Sequence, residues 1–148
     1  MTQDIGDEEL LRRYEGVWID RVNRTFYQGM LMQELRLSRC GECGYWHHRP
    51  KPRCPRCLSA QIVPTAVRGR GTVYLVTYLH QGPAVEGVTY SPPHIVATVE
   101  LDEQSQLRFT AGVLTEDQAG IAIGDRVELD WVERNGRPLP VWRPAVTG

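Results

Sequence analysis

The sequence predicts a mainly β protein with N-terminal helices, in which a cysteine-bearing segment leads into a small barrel. Three observations predict it. Apolar residues recur at helical spacing over residues 7–24. Four cysteines follow as two close pairs between residues 40 and 57. Beyond residue 60, β-branched and aromatic runs alternate with clusters of Gly, Pro, Asp and Asn. Short strands punctuated in this way suit a five-stranded barrel of the oligomer-binding (OB) type, which the remaining length accommodates.

The elements follow in chain order. Asp7 is the expected N-cap of a helix over 7–24, with Glu8 and Glu9 in its first turn to complement the positive end of the helix dipole. Leu10, Leu11, Tyr14, Val17, Trp18 and Val22 form its apolar face, and Gly16 weakens it. Thr25 and Gln28 make a capping box for a second helix ending near Gln33. Leu35 and Leu37 alternate with Arg36 and Ser38, giving a short strand into Cys40. Thr72–His80, His94–Leu101, Leu107–Val113 and Arg126–Glu133 read as strands. The turn signals between and after them are Gly82-Pro83, Pro92-Pro93, Gly124-Asp125 and Asn135-Gly136-Arg137-Pro138. Gly69 and Gly71 precede a strand rather than a helix, so they mark a tight turn and not a phosphate loop. After residue 60 the only helical signal is a turn near 116–119. The natural boundary lies near Val63–Gly71, and no repeats are evident.

Charge narrows the function classes. The formal net charge is −1, but it is unevenly spread. Residues 37–71 hold seven basic groups (Arg39, Arg49, Lys51, Arg53, Arg56, Arg68, Arg70) against Glu42, whereas residues 72–148 hold five basic and ten acidic groups. A basic segment on a near-neutral chain meets phosphate locally; general nucleic-acid binders have a pI above about 9. No apolar run approaches the ~18 residues that span a bilayer. The acidic N-terminus lacks the pattern of a secretory signal, so a cytoplasmic protein is expected.

The cysteines Cys40, Cys43, Cys54 and Cys57 read C-x2-C-x10-C-x2-C. Each pair forms a tight knuckle, with Gly44 after one and Pro55 inside the other, and two knuckles give four sulfurs to one ion. Four thiolates satisfy tetrahedral zinc and close it to water, which is a structural site. Iron takes the same set, and spacing does not separate the two metals. Two disulfides match the compartment poorly, and a dithiol redox pair would sit in a βαβ unit that is absent. His47 and His48 lie between the pairs but are superfluous to a complete shell. His80 and His94 are ordinary barrel or surface histidines.

Taken together, several stretches resemble one family. They are Phe26-Tyr27, the run from Leu35 to Gly44, the run from Pro52 to Cys57, and Gly69-Arg70-Gly71-Thr72-Val73. Val96–Glu103 and Ile123–Leu129 continue the likeness. The chain resembles, over about residues 17–144, the bacterial and archaeal family known as domain of unknown function thirty-five. Where that family tends to carry Pro-Tyr before its Val-rich strand, this chain has Pro92-Pro93-His94. The resemblance implies N-terminal helices (1–34), a rubredoxin-like zinc ribbon (35–66) and a C-terminal OB-fold domain (67–148). It also implies a non-catalytic subunit working beside a thiolase-fold enzyme, such as an acyltransferase or a sterol-carrier thiolase-like aldolase, in a hetero-oligomer, with acyl-CoA at the shared interface.

The residues agree with that implication. Every cysteine is committed to metal, so none is free as a nucleophile. Arg49, Lys51 and Arg53, with Arg56 nearby, are candidates for the phosphates of coenzyme A, against the plainer reading of a solvated ribbon surface. Tyr14, Trp18, Val22 and the surroundings of Trp46 offer apolar anchors for a partner. The alternative is a single-stranded nucleic-acid module in which Tyr74, Tyr78 and Phe109 stack on bases, although the barrel segment is net acidic. An autonomous hydrolase or aldolase has little support: Asp102 and Glu103 are adjacent and mark a strand end.

Overall fold

The computed structural model describes residues 5–115 and 120–145, so the turn expected near 116–119 lies outside the described residues. The chain divides into two compact units, Met1–Val67 and Arg68–Gly148.

In the first unit, the expected long helix is broken. α1 spans Asp7–Arg13 only, with Gly6 rather than Asp7 as its N-cap. The chain leaves the helix at Tyr14 and turns at Gly16, whose φ is +83°. α2 spans Arg24–Leu31. The Thr25–Gln28 capping box does not form: Gln28 Nε2 instead donates to Ile5 O at 2.8 Å. Asp20 and Asn23 supply the reciprocal bonds one turn earlier. Asn23 N donates to Asp20 Oδ1 at 3.0 Å and Asp20 N donates to Asn23 Oδ1 at 2.8 Å.

The break redistributes the apolar stripe. Leu10 and Tyr14 are buried, while Leu11 and Trp18 are exposed, Trp18 to 82%. Three antiparallel strands complete the unit: β1 (Arg36–Cys40) lies between β2 (Trp46–His47) and β3 (Ile62–Ala66). Leu35 and Leu37 anchor β1 in the core.

The second unit is a closed five-stranded barrel in the order β4-β5-β6-β8-β7. Its strands are β4 (Arg70–Leu79), β5 (His94–Leu101), β6 (Arg108–Val113), β7 (Arg126–Arg134) and β8 (Arg137–Pro144). β5 alternates strictly, with Ile95, Ala97, Val99 and Leu101 facing inward. Val73, Phe109, Val127, Val141 and the fully buried Trp142 fill the same core. A parallel contact, Gly112↔Val141 and Val113↔Trp142, closes the barrel between β6 and β8. Gly69 leads into β4 because a Cβ there would lie 2.8 Å from that of Leu129. β8 adds a strand to those expected from sequence, where its turn alone is signalled.

Candidate metal centre

The two cysteine pairs are built as near-copies. In the first, Gly44 N donates to Cys40 O at 3.0 Å and Cys40 N to Tyr45 O at 2.9 Å. In the second, Leu58 N donates to Cys54 O and Cys54 N to Ser59 O, both at 2.9 Å. Gly44 (φ +77°) and Leu58 (φ +66°) occupy the same left-handed position. An arginine precedes each pair and donates to the carbonyl of that residue: Arg39 Nε to Gly44 O at 3.2 Å, Arg53 Nη1 to Leu58 O at 3.0 Å. The two knuckles thus share the short motif Arg-Cys-x-x-Cys.

The turns bring all four sulfurs together. They lie within 4.8 Å of one another, with Cys40 and Cys57 at 3.5 Å and Cys43 and Cys54 at 3.7 Å. Sulfurs at ~2.3 Å from one tetrahedral zinc lie about 3.8 Å apart, so the cage fits that ion. Backbone N–H groups point at the sulfurs: Cys43 N to Cys40 Sγ at 3.4 Å, and Arg56 N and Cys57 N to Cys54 Sγ at 3.3 and 3.5 Å. The effect is electrostatic. The Cys43 N–H draws the Cys40 thiol down to about 6. Burial pushes the Cys54 thiol up, but the N–H groups of Cys57 and Arg56 outweigh it and bring it below 9.0. For Cys57, the Ser59 N–H works downward but is overcome by the neighbouring sulfurs and by burial, and the thiol rises to about 12. Four sulfurs this close ionise together only around a cation.

The other predicted site residues are dispersed. His47 and His48 lie outside the sulfur cluster. His47 is buried in β2, and His48, 5.6 Å from the Phe26 ring, is pushed down to about 4, chiefly by burial and then by Arg49. Lys51 and Arg53 line a groove of about 530 Å³ together with Arg21, a residue that sequence reasoning missed for want of any local motif. Arg49 instead lines a second groove with Phe26, Tyr27 and His48. Trp46 is buried beneath the Arg39 guanidinium, and Tyr14 is buried, so neither is a surface anchor; Trp18 and half-buried Val22 remain.

The stacking platform is not assembled either. Phe109 packs inside the barrel 6.4 Å from Trp142, Tyr78 Oη donates to Ile121 O, and the Tyr74 ring is covered by Arg108 at 3.6 Å. Asp102 and Glu103 sit in the turn after β5. Asp102 accepts two bonds from Arg126 at 2.6 and 2.7 Å, which lower its pKa, and Glu103 accepts from Arg68 N.

Residues 31–63 match the family described as ChsH2, rubredoxin-like zinc ribbon domain, and residues 64–132 match ChsH2, C-terminal OB-fold domain. Among solved structures, the chain is similar to one described as the Ltp2-ChsH2(DUF35) aldolase. Identity is 33% over 88% of this chain and 99% of that one, with a TM-score of 0.76. A second, a DUF35-family protein of unknown function from Sulfolobus solfataricus, shares the fold. Its identity is 17% over 83% of this chain and 86% of that one, at a TM-score of 0.53. No curated protein sequence matches.

Proposed function

Because the chain belongs to the ChsH2 (DUF35) family, we propose that it is a non-catalytic accessory subunit of a thiolase-fold enzyme, an acyltransferase or a sterol-carrier thiolase-like aldolase acting on acyl-CoA thioesters. The observation that carries this reading is the 33% identity, across 99% of that chain, to a chain of the Ltp2-ChsH2(DUF35) aldolase. The dispersal of the titratable groups supports it: Asp102 and Glu103 hold turns together, and the thiols converge on one cage.

In this reading residues 1–34 form the helical lead, 35–66 the ribbon and 67–148 the OB-fold domain. Cys40, Cys43, Cys54 and Cys57 hold zinc, which with four thiolates has no open position and serves structure rather than catalysis. A cytoplasmic setting, where thiols stay reduced, suits that site. Lys51 and Arg53, joined by Arg21, offer positive charge to the phosphates of coenzyme A at a shared interface. Arg53 is partly committed to the Leu58 carbonyl, so Lys51 and Arg21 carry more of that role.

Co-expression with a thiolase-fold enzyme encoded beside this chain tests the proposal. The two should co-elute in size exclusion, and thioester or retro-aldol turnover should need both. Separate elution with full activity of the enzyme alone refutes it. Metal analysis tests the ribbon: one zinc per chain is expected, and Cys54→Ser should lower metal content and soluble yield.

A further inference from the structure

One end of the barrel holds a cavity of about 290 Å³ among β5, β6, β7 and β8. Its charged wall is Arg134, the last residue of β7, which is half-buried and has no carboxylate at ion-pair distance among the described residues. A half-enclosed guanidinium that no carboxylate pairs directly keeps its donors for a ligand. Directly opposite it, across the two-residue hairpin turn, stands Arg137. His94 lines the same cavity. Burial and then the charge of Arg134 lower its pKa below 6.5, so it is neutral at pH 7 and still carries an N–H.

Two acids stand nearby. Glu86 accepts the Asn135 N–H at 2.6 Å, and Glu133 lies on the exposed rim. The remaining wall is mixed: Ile95, Val113, Val132 and Val141 make an apolar side, and Thr89 and Thr115 add hydroxyls.

We propose that this cavity binds a small organic carboxylate, its oxygens held by the Arg134 fork and the His94 imidazole and its hydrocarbon body against the valine wall. A planar fork suits a carboxylate through two parallel bonds. The cavity, about 290 Å³, accommodates a short acyl chain. The inference needs neither the metal nor a partner enzyme.

The test is a ¹H–¹⁵N NMR titration of the whole chain with isovalerate, with isopentyl alcohol (the same body without the anion) and with inorganic phosphate. Isovalerate should shift the Gly112 and Val113 amides and the Arg134 side-chain N–H saturably, and the alcohol should not. Arg134→Gln, its spectrum otherwise unchanged, should weaken binding at least about tenfold, and Arg134→Lys should weaken it less. Absence of saturable shifts, equal shifts with the alcohol, or unchanged affinity in Arg134→Gln would overturn the proposal. Phosphate binding these amides as tightly as isovalerate would overturn the assignment of a carboxylate with an apolar body.

Discussion

After each cysteine pair the backbone enters the left-handed region, through Gly44 in one knuckle and Leu58 in the other. A side chain there costs ~1–2 kcal/mol, and Leu58, 67% exposed, recovers little of it by burial. Leu58→Gly should therefore stabilise the ribbon by about 0.5–1 kcal/mol after the greater chain entropy of glycine is counted, and Gly44→Ala should destabilise it by about 1 kcal/mol. Denaturant melts of the metal-loaded protein measure both, and shifts of the same sign would contradict the argument. His48 gives a pH prediction. Its folded pKa, about 4, lies below the ordinary 6.5. The stability that its neutral form contributes is complete above pH 6.5 and drains away as pH falls toward 4, by an amount of order 3 kcal/mol. Melting temperature across this window should fall more steeply for the wild type than for His48→Leu; parallel curves would rule this out. At this scale the cysteines were legible because ligand spacing is local. The roles of Arg39 and Arg53 were not, because an arginine one position before a cysteine pair does not reveal by itself that it donates to a carbonyl five residues ahead.

Among the elements, β5 was readable because burial and sequence alternate together, and β7 because its run of β-branched, aromatic and charged residues follows the turn at Gly124-Asp125. The continuous helix expected over 7–24 fails because spacing alone cannot show a chain reversing at Gly16, nor Asp20 and Asn23 bonding to each other ahead of α2. β8 was hidden by Pro138, Pro140 and Pro144. The structure shows why they are tolerated. Trp142 O accepts from Leu114 N, so even-numbered residues of β8 direct their backbone groups toward β6, where the ladder is only Val141 and Trp142. The missing N–H groups fall on the side with little to pair. Asn135-Gly136 was the available signal: Arg134 pairs Arg137, and the two residues between have φ of +53° and +76°, as a type I′ hairpin requires. Gly136→Ala meets no atom within 4 Å, so its cost is backbone alone, about 1–2 kcal/mol. A urea midpoint equal to wild type would show the turn to be more pliable than its dihedral angles indicate.

For the whole molecule, two cores predict two responses to chelation. Structural zinc contributes ~10–16 kcal/mol in small peptides, against a net domain stability of ~5–15 kcal/mol. Removing the metal should abolish hydrogen-exchange protection in β1–β3 while β5 and β6, packed around Trp142, keep theirs. Retained protection in β1–β3 would mean that the ribbon does not depend on an ion. With Phe109 buried and the barrel segment net acidic, the chain should show negligible affinity for single-stranded DNA near physiological salt. Sub-micromolar binding that weakens steeply with salt would restore the nucleic-acid reading. No helix among the described residues is long and apolar enough to cross a membrane.

The matched knuckles bear on how the site is assembled in time. Each half-site closes through bonds within a few residues of its own cysteines, so either can form first and present two sulfurs to a passing ion. A half-captured ion is then separated from a fully caged one by closure of the ten-residue span between Cys43 and Cys54, an entropic toll that depends only weakly on the length of that span. Metal uptake should accordingly show two kinetic phases, the second slowing only slightly when residues are inserted at the exposed stretch around Lys51.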